Sequence, residues 1–414
     1  MVTCRGPARA RRGREMADLD IIEQGAVLID GPRIRAVGPY AELRAADPAA
    51  EVVEVSGVLF PGLVDCHTHA VFGAPRLDDA ERRALGEDYQ AIAAQGGGIQ
   101  QSVRDARART EGDLAALTAL RIEALLRHGS TTIEVKSGYG LDLETELKLL
   151  RVIGTVGRTV PVTIAPTFLA HELPSEYRNR RADYVRLVCD EVIPVVARER
   201  LASACDVFCE PGVFTPAEAR AILTAARRAG LAPKIHADEF AGSGGAELAV
   251  EIGARSADHL AAISDAGIAA LGASDTVAVL LPATMMLLGG RRQAPARRLL
   301  DAGAAVALAT DFNPGSSPTV ALPLVMALGV GQLGMRYAEV VHAATVNAAA
   351  ALGLAGSCGQ IAPGFRADLV LGSVAEWREL AYWVGANLVT AVWTAGSACL
   401  PRSRPVSLGL HVQA

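Results

Sequence analysis

The sequence predicts an α/β fold: a (β/α)8 barrel of the TIM type, with a small β-sandwich built from both chain ends. Through the middle of the chain, short β-branched runs alternate with longer helical patterns, as repeated βα units do. Eight such runs can be counted. The flanks break this rhythm: 25-GAVLIDGPRIRAVG, 367-ADLVLG and 389-VTAVWTAG are short alternating strands around Gly turns.

In chain order the barrel strands are 58-VLFPGLVDCHTH, 131-TTIEVKSGYG, 161-PVTIAPTFLAH, 205-CDVFCEPG, 233-PKIHADEF, 255-RSADHLA, 275-DTVAVLLPAT and 304-AAVALATDFNPG. Helical stretches such as 141–156, 216–230 and 245–253 lie between them, several closing on glycine. The predicted organisation is sandwich for 1–57, barrel for 58–362 and sandwich again for 363–414. A barrel of this kind works at the C-terminal ends of its strands. There the sequence places polar, reactive residues: His67, His69, Lys136, His171, Glu210, His236, His259 and Asp311.

Composition narrows the partners. At 414 residues, half of them hydrophobic and 4% aromatic, the chain has ample core for one large barrel and a satellite. A net charge of -5 offers no general attraction to nucleic acid or anionic lipid, so a small metabolite is the expected partner. Apolar runs such as 276–288 are too short to span a membrane, and Pro282 interrupts that one. Five arginines within residues 1–15 precede no signal-peptide core, and predict a disordered or mis-started tail. Seven dispersed cysteines predict free thiols in a reducing, cytoplasmic setting, with Cys205 and Cys209 as core residues.

The sharpest motif is 65-DCHTH. Residues two apart on a strand face the same way, so His67 and His69 both point to the barrel mouth. Neutral imidazoles bind Zn or Fe(II), and two on one face make half a site. His236 and Asp311, at the ends of strands five and eight, complete a set of three His and one Asp. Such a set leaves room for one water, whose pKa the ion lowers from about 15.7 toward 7. Glu239, three residues past His236, is placed to shuttle protons. His259 is placed to steady a developing oxyanion, with Asp258 available to orient it. Gly138 and Gly140 let the Tyr139 loop bend over the mouth, while 96-GGG, lacking a Lys-Ser/Thr ending, predicts a hinge or a close backbone contact.

With H-x-H on strand one, His on strands five and six, and Asp on strand eight, the chain resembles the amidohydrolase superfamily. More narrowly, 67-HTHAVFG, 94-AQGGGI, 134-EVKSGYGLD, 232-APKIHADEF, 257-ADHL, 306-VALATDFNPGS and 345-TVNAAAALG resemble the imidazolonepropionase family. That resemblance implies hydrolysis of 4-imidazolone-5-propanoate to N-formimidoyl-L-glutamate, in histidine degradation. It implies one Zn or Fe ion held by His67, His69, His236 and Asp311, and a homodimer. It further implies that Arg76, Tyr139 and His171 hold the propionate, while Glu239, Asn313, Gly315 and Ser316 surround the ring. An acid substrate does need a fixed cation.

Three rival readings differ in their chemistry. An aminohydrolase of a nitrogen heterocycle on the same fold would release ammonia. A two-metal hydantoinase or dihydroorotase needs a bridging Lys on strand four, where this chain offers Glu210. A non-catalytic scaffold would bind no divalent metal.

Overall fold

The computed structural model describes residues 1–87, 91–92, 95–290 and 292–399. Two antiparallel sheets and one parallel barrel make up its β-structure. In chain order the strands are β1 (Gly25–Asp30), β2 (Arg33–Pro39), β3 (Val58–Pro61), β4 (Leu63–Asp65), β5 (Ser130–Lys136), β6 (Thr163–Ala170) and β7 (Ala204–Cys209). There follow β8 (Ala232–Ala237), β9 (Ser256–His259), β10 (Val277–Leu280), β11 (Val306–Leu308), β12 (Leu369–Gly372), β13 (Val389–Thr394) and β14 (Ser397–Ala398).

β4 to β11 form the eight-stranded barrel, each pairing in parallel with the next. The ring closes beyond the strands proper, through a parallel bridge between Thr68 and Phe312. Helices follow strands because the sequence supplies their starts. Thr110, Asp142 and Thr215 each accept a hydrogen bond from the third residue of their helix, and Pro216 adds a preset first turn. Apolar faces of these helices cover strands whose outward residues, such as Ile133, Val135, Val207 and Ile235, are buried.

The end sheets are β1-β2 and β3-β12-β13-β14, all antiparallel. They enclose a small apolar cluster that includes Ile34, Leu59, Leu369, Phe365 and Trp393. Residues 400–414, expected to finish this sandwich, lie outside the described residues.

Two expectations need correction. The run from 58 is not one barrel strand. It divides at Gly62, where β3 pairs with β12 in the end sheet while β4 pairs with β5 in the barrel. Gly62 is required because a Cβ there would meet Thr131 Oγ1 at 2.1 Å and Asp368 Cβ at 2.9 Å. Nor is the Arg-rich start a disordered tail. Val2, Cys4, Met16 and Leu19 are buried, Val2 N donates to Leu59 O at 2.8 Å, and His342 Nε2 donates to Asp18 O at 2.8 Å. Arg5, Arg9 and Arg12 form ion pairs with Asp20, Glu15 and Asp275, while buried Arg11 and Asn347 exchange two hydrogen bonds. The arginine-heavy composition masks four apolar anchors spaced among polar residues.

Candidate active site

β4 ends at Asp65, and the chain continues through the two histidines just past the strand end. Asp65 accepts from Thr310 N at 3.1 Å and Thr310 Oγ1 at 2.6 Å, lashing this exit to that of β11. Burial pushes its carboxyl up to about 7. The rings of His67 and His69 lie 5.3 Å apart, and that of His236, from β8, lies 4.5 Å from His67 and 5.5 Å from His69. Asp311 Oδ1 stands 3.2 Å from His69 Nε2 and 3.5 Å from His67 Nε2. Its other oxygen accepts from Thr284 Oγ1 at 2.6 Å.

Each of two imidazoles has one nitrogen committed to a carboxylate. His67 Nδ1 donates to Asp258 Oδ2 at 2.6 Å, and His236 Nδ1 donates to Asp206 Oδ1 at 3.0 Å. Among the described residues, neither Nε2 has a hydrogen-bond partner, although both are buried. Bare buried lone pairs are costly unless something else takes them. Burial holds His67 and His69 well below the usual imidazole range, in the neutral form that ligates. Carboxylate-backed imidazoles and an adjacent carboxylate fit one divalent metal ion, and His67, His69 and Asp311 are close enough to share one.

Backbone strain gathers here. Asp311 (φ 51°), His259 (φ 79°) and Leu260 (φ 64°) all lie in the left-handed region. Tertiary hydrogen bonds hold two of them: Asp311 N donates to His67 O at 3.0 Å and Leu260 N to Ala237 O at 3.0 Å. His259 Nδ1 is 3.5 Å from Glu239 Oε1, and the His259 ring is 5.1 Å from that of His236. Burial lowers His259 to about 3. Glu239 is pushed well above the usual carboxylate range, by burial first and then by Asp311 and Glu210. Asp258 does not orient His259; its carboxylate serves His67 instead. Asp238 turns away, accepting from the backbone of Ser243 at 2.6 Å and of Ala246 at 3.1 Å.

Above this cluster opens a cavity of about 330 Å³, lined among others by His69, Arg76, Tyr139, His171, Glu239 and Asn313. Arg76 is buried, with Asp79 Oδ2 3.5 Å from its Nε. Its guanidinium lies against Gly315, where a Cβ would come within 1.8 Å of Nη2. His171 stacks on His69 at 5.4 Å and donates from Nδ1 to Gly138 O at 3.1 Å. Tyr139 packs 5.4 Å from His171. Its loop is pinned rather than free to bend: Glu146 accepts from Gly138 N, Gly140 N and Leu141 N at 2.9, 2.7 and 2.9 Å. The amide of Asn313 organises its own turn, accepting from Gly315 N at 2.9 Å and Ser316 N at 2.8 Å. At the glycine run, Gly98 N donates to Asp79 Oδ2 at 2.8 Å and Gly97 has no room for a Cβ, which makes this a close backbone contact.

Of the residues singled out from the sequence, His69, Arg76, Tyr139, His171, Glu210, His236, Glu239, His259, Asp311, Asn313 and Ser316 line this cavity, while Lys136 and Asp258 lie beneath it and Asp238 turns away. Missing from that set were Asp206 and Thr284, which back His236 and Asp311, and the pocket residues Gln100, Glu172 and Phe208. A signal existed for Asp206, a lone charge inside the apolar run 205-CDVFC; none marked Thr284.

The profile of the amidohydrolase family matches residues 58–399, and that of the imidazolonepropionase-like composite domain of bacteria matches residues 25–46. The chain is 48% identical to the imidazolonepropionase of Rubrobacter xylanophilus over 395 residues, covering 94% of each protein. It is 47% identical to that of Geobacillus kaustophilus over 403 residues, covering 96% of this chain and 95% of the relative. The chain belongs to the imidazolonepropionase family of amidohydrolases. Solved structures extend the fold relationship further. Escherichia coli guanine deaminase superimposes with a TM-score of 0.71 at 15% identity, covering 97% of this chain and 98% of its own. A Xanthomonas campestris adenosine deaminase with bound zinc gives 0.66 at 20% identity, covering 94% and 91%. At those identities the likeness is one of fold alone. Among the described residues, no helix is long and apolar enough to cross a membrane.

Proposed function

We propose that this chain is a metal-dependent hydrolase that opens the ring of 4-imidazolone-5-propanoate to N-formimidoyl-L-glutamate. The observation that carries this reading is that His69, the carboxylate-backed His236 and the buried Arg76 face one cavity. His67, His69, His236 and Asp311 would hold the metal, Zn or Fe. When bound, such an ion supplies Lewis acidity and lowers the pKa of a coordinated water.

The chain's own residues do the rest. Arg76, fixed against Gly315, presents a buried cation to the propionate, with Tyr139 and His171 closing that end of the cavity. Glu239, in the cavity wall beside His236, moves protons between the attacking water and the ring nitrogen, accepting from the first as carboxylate and donating to the second as the acid so formed. Asp311 takes part in the same relay. His259, neutral and 3.5 Å from Glu239, steadies negative charge on the former ring carbonyl oxygen. Asn313 and Ser316 shape the wall beside the ring. A homodimer in a reducing cytoplasm belongs to the same reading, and the seven free cysteines support the latter.

Freshly prepared imidazolonepropionate, followed through decay of its ultraviolet band, tests the activity. Decay without ammonia release is the expected result, and stoichiometric ammonia would favour an aminohydrolase. Glu239→Gln should retain its metal yet lose about 10²- to 10⁴-fold in kcat.

A further inference from the structure

Five ionisable side chains lie inside the barrel beneath the histidines, essentially sealed from solvent: Glu134 and Lys136 on β5, Asp206 on β7, Lys234 on β8 and Asp258 on β9. Burial alone would strip Lys136 of its charge, but Asp206, Glu134 and Asp258 together hold its ammonium above the usual lysine range. Its Nζ is 2.6 Å from Asp206 Oδ2, 2.8 Å from Glu134 Oε2 and 3.8 Å from Asp258 Oδ2. Asp206 uses its other oxygen for His236, accepting from the ring Nδ1 at 3.0 Å and the backbone N at 3.2 Å. Asp258 uses the same oxygen, Oδ2, for His67 Nδ1 at 2.6 Å.

One ammonium therefore faces both carboxylates that orient imidazoles arriving from different strands. Lys234 shares Glu134 and Asp258 with Lys136 but forms no ion pair with Asp206 among the described residues. It contacts Glu134 Oε1 at 2.8 Å, Cys66 O at 3.1 Å and Asp258 at 3.9 Å. Without a cation between them, Asp206 and Asp258 would repel across a dry interior, and each would take its imidazole along or release it.

We infer that Lys136 is a positioning residue that fixes His67 and His236 relative to one another by holding Asp206 and Asp258 on a single ammonium. The inference rests on the proposed role of those two histidines as metal ligands. It assigns Lys136 no contact with substrate.

Lys136→Met alone leaves one ammonium against three carboxylates and risks unfolding. The informative variant is Lys136→Met combined with Glu134→Gln, which removes one charge of each sign and leaves Lys234 an acceptor. Glu134→Gln by itself is the control, since it leaves the contact between Lys136 and Asp206 in place. After metal stripping, Zn²⁺ affinity is measured by competition with a chromophoric chelator, and the visible spectrum of the Co²⁺-loaded protein reports ligand geometry. The expected result is a folded double variant that binds Zn²⁺ about 10- to 100-fold more weakly, with displaced Co²⁺ bands, while the control matches the unsubstituted chain. A folded double variant indistinguishable from the control in both readouts overturns this inference and leaves the proposed function standing. Failure of the unsubstituted chain to bind either ion overturns both.

Discussion

The inside of the barrel and the inside of the end sandwich are both walled by β-strands, yet one is filled with charge and the other with hydrocarbon. Beneath the histidines, two ammoniums and three carboxylates are buried together. Between the end sheets, Ile34, Ile361, Ala367 and Leu369 make an ordinary apolar core. The difference teaches where each region's tolerance lies. Hydrocarbon packing degrades gradually as atoms are removed, because neighbours relax into part of the gap. A buried charge network does not degrade gradually, because deleting one member strands its partner.

The largest effect is expected inside the barrel. Asp206→Ala leaves Lys136 short of a counter-charge and His236 Nδ1 without its acceptor. Equilibrium denaturation should show a loss of about 3–5 kcal/mol, and chelator competition a drop in metal affinity of about 10- to 100-fold. In the sandwich, Leu369→Ala should cost about 3 kcal/mol by the same denaturation assay, with turnover per folded chain unchanged. A comparable loss of turnover would erase the contrast between the regions.

A third expectation concerns a polar group buried in neither place. His342, within the helix Tyr337–Ala343, anchors the first residues through Asp18 O, and burial lowers its pKa to about 4. Its folded-state value lies below the ordinary 6.5, so the fold favours the neutral ring. That contribution is complete above pH 6.5 and is lost progressively as the pH falls toward 4. At pH 5 the loss is roughly 2 kcal/mol. Hydrogen-exchange protection factors of residues 2–19, taken relative to the intrinsic rate at each pH, should fall between pH 7 and 5, and His342→Gln should remove that fall. The smallest effect is expected at the mouth. In Gly315→Ala the added methyl meets the guanidinium end of Arg76 first, a side chain rather than backbone, so the fold should survive while the guanidinium is displaced. KM for the acid substrate should rise about tenfold, near 1.4 kcal/mol, with kcat little changed.

Much of this was legible because strand period and ligand chemistry are local properties. His67, His69, His236 and Asp311 announce themselves by residue type at the ends of countable strands. What holds them was harder to see. Asp206 and Asp258 belong to different strands from the histidines they serve, and only the folded barrel makes them neighbours. Adjacent residues on a strand face opposite ways, which keeps the Asp258 carboxylate from the ring of His259. Thr284 sits on a helix after β10 and reaches Asp311 across 27 residues of chain, a contact no spacing rule encodes. Residues 1–15 misled through composition, because buried anchors such as Val2 and Cys4 are few and the arginines around them many.

Gly62 joins β3 of the sandwich to β4 of the barrel with no linker, its N donating to Asp368 O at 2.8 Å. The same short stretch is thus a rafter of the annexe and the doorpost of the metal-facing histidines. Neither unit can be pruned away to leave the other intact, and heating should melt both in one calorimetric transition.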